Sequence, residues 1–554
     1  VDAVKCRDCE RTVEPPNVVC DICVAKLAGD PFQDDDNELL PAPSHPVVVA
    51  RVLIKEFYQH AEGLTLLWWR GDFYTWTGTH WNTVPLSEVR ARIYPRLEHA
   101  EYEHMTKDGP EVRPWEPTRR KVGDLLEALA ALVNLNEQTD PPAWIGDDAG
   151  PVISVANGNL DITDRVLQPH IPRWFNLMSL PFDFERSAPA PIKWLQFLQE
   201  LWPEDPDAIA LLQDWFGYVL SGRTDLHKIL LLIGPPRSGK GTLIRVLTGL
   251  IGRENIAAPT LASLGTNFGL QPLIGKSVAA IGDARLGGPN TYAVVERLLS
   301  ISGEDSITVD RKYLTPWTGQ LGVRFTVVSN ELPNLGDASG AVASRFLVLT
   351  LAKSWLGNEN PSLTQELLTE LPGILLWGLD GLDRLQARGR FTEPQSSVDA
   401  VMALADLSSP VAAFVREECQ RGAGHEVEID RLYAAWRHWC ETQGRHPGSK
   451  QVFGRDLRAA VPGLKVTQPR DGDARHRCYS GIALRVPPAM DWTAFHRVPD
   501  DEPTTPNGAK PEVARDGTRA NPFSAAHEQH LVSPTSESEA GAETGNVPPA
   551  WDWT

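Results

Sequence analysis

Residues 228–247 read KILLLIGPPRSGKGTLIRVL, an apolar run that passes through a glycine-rich turn with one lysine into a second apolar segment. Gly234, Gly239 and Lys240 fit the spacing G-x-x-x-x-G-K, with Pro235, Pro236, Arg237 and Ser238 between them. Glycines let backbone N–H groups curl around a β-phosphate, the start of the following helix favours negative charge, and a lysine there reaches the β and γ oxygens. The expected chemistry is nucleoside triphosphate binding, with ATP and Mg²⁺ as cofactors. A Ser or Thr usually follows the lysine to meet magnesium; here Gly241 follows and Thr242 comes next, so Thr242 or a water supplies that contact.

Three later apolar runs read as buried strands: SVAAIGD at 277–283, FTVVSN at 325–330 and RFLVLTL at 345–351. In an open α/β sheet, ligands sit at the carboxyl ends of the strands. Asp283 is therefore expected to hold magnesium or its water and polarise the attacking water, and Asn330 to orient that water. Arg345 precedes its strand, where a guanidinium can reach a neighbouring subunit's nucleotide. Singly, a strand-end Asp or Asn is often only a turn former; the order of all three argues for a catalytic set.

Four of the seven cysteines form paired CxxC knuckles, Cys6, Cys9, Cys20 and Cys23. Two such pairs can surround one Zn²⁺ tetrahedrally, and with all four ligands supplied the site is structural rather than catalytic.

The elements that must position these groups follow from pattern and composition. The 554 residues are 42% hydrophobic, enough for several domains. No stretch approaches the roughly eighteen apolar residues of a membrane span, and the start lacks a signal-peptide layout, so a cytoplasmic protein without membrane contact is expected. The net charge of −19 opposes a generally basic coat, yet a DNA-binding surface can be local. The expected order is a zinc knuckle at 1–28, an acidic, proline-rich linker at 29–46, a helical and β N-terminal region at 47–215, an ATPase core at 216–385, a linker at 386–409, a unit at 410–486 and a disordered tail at 487–554. Aromatic residues around Gly71-Asp72 predict a hairpin, with Trp68, Tyr74, Trp76 and Trp81 more often core than base-stacking platforms. In 410–486, helical patterns at VAAFVREECQ, EIDRLYAAWRHWCETQ and KQVFGRDLRAA precede two strands, which suggests a winged helix with Arg470, Arg475 and Arg477 on or near its wing.

In succession, GPPRSGKGT, IGDARL, LLSISGEDSITVDRKY, VVSNELPNL and ASRFLVL resemble motifs A, B, B-prime, C and the arginine finger of superfamily III helicases. Specifically they resemble the phage/plasmid-type primase-helicase family, whose helicase half is shared by poxvirus-like and satellite-phage proteins. GDFYTWTGTHW, NGNLDI, LLQDWFGYVLSG and ELPGILLWGLDGL extend the likeness over about residues 50–385. The resemblance implies an α/β, AAA-like P-loop ATPase core that assembles as a homo-hexameric ring. It implies ATP-driven, 3′ to 5′ translocation on single-stranded DNA in phage or mobile-element replication, in the host cytoplasm if phage-encoded. Residue by residue, Gly234, Gly239, Lys240 and Thr242 take the nucleotide role, Asp283 the acidic metal position, Asn330 the polar sensor and Arg345 the finger in trans. Lys312, with Arg311, falls at the family's channel hairpin, where a cation on a moving loop grips phosphate. One departure is Ala284, which stands where motif B commonly carries a second acid.

Three other readings compete. Small kinases carry GKGT loops too, but near their N-terminus and with an arginine-rich lid. Primer synthesis on this chain would need carboxylates gathered on a sheet; none is legible, so a separate primase or polymerase is the expected partner, besides single-stranded and forked DNA. An origin-binding or loading protein would use ATP only to assemble. The 410–486 unit serves either duplex binding or oligomer contacts.

Overall fold

A computed structural model describes residues 39–147, 150–282, 291–335, 341–471 and 474–485, together with a short strand pair, Val4–Lys5 with Thr12–Val13. The zinc-knuckle cysteines, Asp283 and the tail at 487–554 lie outside the described residues.

The N-terminal region builds from helix α1 (Pro46–Phe57), whose buried Val49, Ala50, Leu53 and Ile54 repeat at helical spacing along one face. Strands β1 (Leu66–Trp69), β2 (Asp72–Trp76) and β3 (Trp81–Val84) form an antiparallel meander. Its first turn is the two-residue loop Arg70-Gly71, with φ of 48° and 85°. Positive φ at both positions matches the right-handed twist of the flanking strands. Tyr74 and Trp81 are buried, while Trp68 and Trp76 are half-buried against core clusters, so these rings are packing groups. Phe175 receives Trp69, Tyr74 and Trp81 edge-on at centroid distances of 5.2, 6.1 and 6.2 Å. Helix α2 (Leu86–Glu98), the hairpin β4 (Glu101–Thr106) and β5 (Gly109–Pro114), and helix α3 (Arg119–Leu132) complete this part, α3 packing on α1. A small antiparallel sheet of β6 (Val152–Val155), β7 (Gly158–Asp161) and β8 (Leu167–Gln168) follows.

Helices α4 (Ile192–Leu201) and α5 (Pro206–Leu220) lead into the central sheet. Asp205 caps α5, its carboxylate accepting from the Ala208 N–H at 3.0 Å, with proline at the first helical position. The sequence boundary at 215/216 thus falls inside a helix: α4 and α5 share one core with the parallel sheet. After β9 (Ile229–Ile233) come α6 (Lys240–Ile251), β10 (Ile256–Ala257), β11 (Val278–Ile281) and α7 (Thr291–Ser302). The hairpin β12 (Ile307–Val309) and β13 (Trp317–Gly319) precedes β14 (Arg324–Ser329) and β15 (Phe346–Thr350). The five-stranded sheet is wholly parallel, in the order β10-β11-β14-β9-β15. All of β9 is buried because both its edges are paired and both its faces covered. Leu230 and Leu232 pack into a core with α4, α5 and α6; Ile229, Leu231 and Ile233 pack into a second core with α7. This is a mixed α/β architecture built on a parallel sheet.

Helix α8 (Leu371–Arg388) crosses α5 at backbone contact. A Cβ on Gly217 would lie 2.5 Å from the Leu382 nitrogen, so only glycine fits there. Residues 386–409, expected as a linker, instead contain helix α9 (Gln395–Ser408). It packs against β15, burying Leu404, and the Ser397 hydroxyl accepts from the Val348 N–H at 3.0 Å. Its apolar residues run from Val398 to Leu407, broken only by Asp399 and Asp406, so no helical period stands out against the run.

The last described unit runs α10 (Pro410–Glu418), β16 (Cys419–Glu428), α11 (Ile429–Thr442), α12 (Lys450–Ala460), β17 (Lys465–Thr467), the short pair β18 (Arg470–Asp471) and β19 (Ala474–Arg475), and β20 (Cys478–Leu484). Three strands pair as β16-β20-β17 around a core of Phe414, Trp436, Phe453 and Tyr479. The helix expected through residue 420 stops at Glu418, and Cys419 opens a ten-residue strand that the sequence pattern did not mark. Among the described residues no single helix is long and apolar enough to cross a membrane.

Candidate functional site

The turn between β9 and α6 has little conformational choice. Gly234 donates its N–H to the Ser329 carbonyl at 3.3 Å, and a Cβ on it would stand 2.4 Å from the Leu351 carbonyl oxygen. Gly239 occupies the N-cap of α6 with φ of 94°, a left-handed conformation that favours glycine. Arg237 is also left-handed, at φ 58°. No side chain caps α6, so its first N–H groups and the positive end of its dipole face the turn.

Lys240 is almost fully buried at the first helical position. Its ammonium donates to the Gly234 carbonyl at 2.7 Å, the Pro235 carbonyl at 2.8 Å and the Ser238 hydroxyl at 3.2 Å. Burial lowers its pKa from the ordinary lysine value. The donor set is that of an anion cradle: free helical N–H groups, one cation folded over the loop, and two glycines where a methyl group would close the space. It fits a nucleotide phosphate. Ser238 is buried, Thr242 half-buried and Gly241 exposed.

The sheet decides which groups meet. Ile233 of β9 stands in register with Ser329 of β14, so exposed Asn330 lies beside the glycine turn. Strand β11, on the other side of β14, ends at Ile281 on this same carboxyl edge, two residues before Asp283. Arg345 ends a short 3-10 turn, Ala343–Arg345, at the start of β15. The five residues of β15 put it about 16 Å from the carboxyl edge, at the opposite end of the sheet from Lys240. There its guanidinium donates to the Ser302 carbonyl at 3.3 Å. Lys240 and Asn330 therefore come together, and Arg345 of the same chain does not join them.

Arg311 and Lys312 sit in the turn of the β12–β13 hairpin, and the structure separates them. The Arg311 side chain is 7% exposed and pairs with Asp72 at 2.5 Å, while its Nε donates to the Thr315 carbonyl at 2.8 Å. Lys312 is exposed, its ammonium 5.3 Å from the ring of Tyr313, itself 92% exposed. Of the two cations expected to meet DNA, Lys312 faces solvent and Arg311 is turned inward.

Two features escaped sequence reasoning. Residues Ser354 and Trp355 brace the glycine turn from outside: the Ser354 hydroxyl donates to the Pro236 carbonyl at 2.7 Å and the Trp355 N–H to the Arg237 carbonyl at 2.9 Å. No motif marks such a contact, because it uses backbone carbonyls. The other is Asp72, legible only as a turn residue. Among the described residues no three or more His, Cys, Asp or Glu side chains gather as a metal-ligand group.

Three family profiles match successive segments: D5 N terminal like over residues 52–203, a family of unknown function (DUF5906) over 232–345, and poxvirus D5 protein-like over 408–472. Similar solved structures include two of the NrS-1 C-terminal region in apo form. One is 13% identical, covers 79% of this chain and 99% of that one, and has a TM-score of 0.45; the other is 12% identical with the same coverage and a TM-score of 0.42.

Proposed function

We propose that this chain, whose segments match the D5 N terminal like and poxvirus D5 protein-like profiles, is an ATP-driven replicative DNA helicase of the phage- and poxvirus-type primase-helicase family. The observation that carries the reading is the carboxyl edge of the parallel sheet, where the uncapped start of α6, the buried Lys240 ammonium and Asn330 converge on one glycine turn. Bound ATP with Mg²⁺ supplies the phosphoanhydride whose hydrolysis releases the energy for movement.

The chain's own residues then divide the work. The turn from Gly234 to Gly239 offers its backbone N–H groups, and Lys240 exchanges its loop carbonyls for phosphate oxygens, neutralising charge that grows during transfer. Thr242, in the first turn of α6, and Asp283, just beyond β11, hold the metal side; Asn330 orients water. Arg345 stands too far from its own Lys240, which supports a role across a subunit boundary and hence a ring. Lys312 on its exposed turn grips the phosphate backbone of single-stranded DNA, moved by the same sheet that holds the nucleotide. The 410–485 unit runs helix–strand–helix–helix–strand, then a short strand pair and a last strand, an order that supports the winged-helix reading, with thirteen Lys and Arg against nine Asp and Glu in residues 410–486 of a chain that is −19 overall. That local excess supports a duplex-facing role.

Strand displacement on forked duplexes tests this reading. A 3′ to 5′ helicase unwinds forks whose loading strand has a free 3′ tail and leaves 5′-tailed partial duplexes intact; equal failure on both, with ATP hydrolysis intact, would favour a loading or origin-binding protein.

A further inference from the structure

The β12–β13 hairpin that carries Lys312 does not stand alone on the sheet; its base is clasped by the Arg70-Gly71 turn of the N-terminal meander. The clasp is reciprocal. Arg311 of the hairpin reaches back to Asp72, and Arg70 of the meander reaches forward between the rings of Trp69, at 4.4 Å, and Trp317 of β13, at 5.3 Å. Arg70 is anchored from behind, donating to the Glu137 carbonyl at 2.7 Å and lying 2.7 Å from the Asp140 carboxylate. The fit is close: a Cβ on Gly319 would stand 2.2 Å from the Arg70 guanidinium, and Thr315 comes within 3.7 Å of where a Gly71 Cβ would be.

We propose that Asp72 is a positioning residue for DNA, fixing through Arg311 the height and orientation of the loop that presents Lys312. The inference rests on the helicase reading above and deepens it. Arg311 and Lys312 are consecutive, so a guanidinium held inward fixes the backbone from which the neighbouring ammonium projects outward. A second tether, from the Lys312 N–H to the Gln271 side-chain oxygen at 3.2 Å, restrains the same residue from the sheet side. A cavity of about 260 Å³, partly lined by Trp69, Asp140, Trp317 and Arg324, adjoins the seam, and the indole N–H groups of Trp69 and Trp317 have no hydrogen-bond partner. Val309 and Trp317 of the hairpin share a buried apolar cluster with Trp69 and Tyr74 of the meander, so packing holds the base, and the Asp72–Arg311 pair sets the loop that rises from it. Without the Asp72 carboxylate, Arg311 becomes a buried cation lacking its counterion and turns outward toward water, taking the Lys312 backbone with it.

The test uses the full chain, a fluorescein-labelled oligothymidine followed by anisotropy, and DNA-free ATP hydrolysis on the same preparations. Asp72→Asn keeps the side chain's shape and removes its charge. The expected result is a Kd for the oligonucleotide raised about fivefold or more, with DNA-free hydrolysis and thermal midpoint at wild-type values. The charge exchange Asp72→Arg with Arg311→Asp restores most of the affinity, which a merely lost cation would not allow. Wild-type DNA affinity in Asp72→Asn while Lys312→Ala binds weakly overturns the positioning role alone. Wild-type affinity in Lys312→Ala overturns the loop as the DNA contact, and the proposal with it. Parallel loss of thermal midpoint, hydrolysis and affinity in Asp72→Asn makes Asp72 a folding residue and overturns the proposal as well.

Discussion

Gly239→Ala isolates the backbone requirement of the glycine turn. Its φ of 94° costs a residue with a Cβ about 1–2 kcal/mol. The new methyl group would stand 3.0 Å from Leu201 Cδ2 and 3.2 Å from Phe197 Cζ, both in side chains buried beneath the turn. Relieving such overpacking costs about 1–3 kcal/mol. The sum, about 2–5 kcal/mol, appears either as lost stability or as a turn displaced from its phosphate-ready form. Thermal unfolding with and without ATP separates the two outcomes: the first lowers the midpoint outright, the second leaves it near wild type and removes the upward shift that ATP gives. Gly241→Ala is the stability control, since its φ is not positive and its Cβ would meet only Arg245 Nη1 at 3.7 Å. A Gly239→Ala protein that matches the control in midpoint and keeps the full ATP shift would refute the argument from geometry.

Other consequences are as direct. Lys240→Ala removes the buried ammonium and is expected to lower steady-state ATP hydrolysis about a hundredfold or more; undiminished turnover would show that the loop assignment is wrong. Arg345→Ala is expected to be inactive alone yet to regain hydrolysis when mixed with Lys240→Ala, because mixed rings contain interfaces with both groups intact; absence of rescue at every ratio would weaken the trans role. Burial, with Glu418 adding to it against Arg485 and Arg421, pushes the Cys419 thiol up to about 12. Its folded pKa lies above the unfolded value, so it stays a thiol while the unfolded chain ionises, and its contribution to stability falls as pH rises from about 9 toward 12. Iodoacetamide at pH 8 should leave Cys419 unmodified in the native protein and alkylate it in guanidinium, as mass spectrometry of the peptides would show.

Local chemistry was legible in the sequence, and long-range pairing was not. The glycine and lysine spacing at 234–240, and the apolar runs that became β11, β14 and β15, could be read because each is specified within a few consecutive residues. Strand β10 was not, since two residues at a sheet edge carry no period. Helix α9 falls where composition predicts a linker, because the contacts that order it, such as Ser397 with Val348 across 49 residues, are long-range. Arg311 shows the same limit at the site: beside Lys312 it reads as a second surface cation, and only the fold reveals an acid 239 residues away that turns it inward. The brace on the turn from Ser354 and Trp355 has no signature, because carbonyls accept from any residue placed correctly.

The most direct test is ATP hydrolysis by the purified protein with and without single-stranded DNA. The account predicts turnover that rises when DNA is added, because the sheet that holds the nucleotide also carries the Lys312 hairpin. Hydrolysis indifferent to DNA, or none at all, would contradict it.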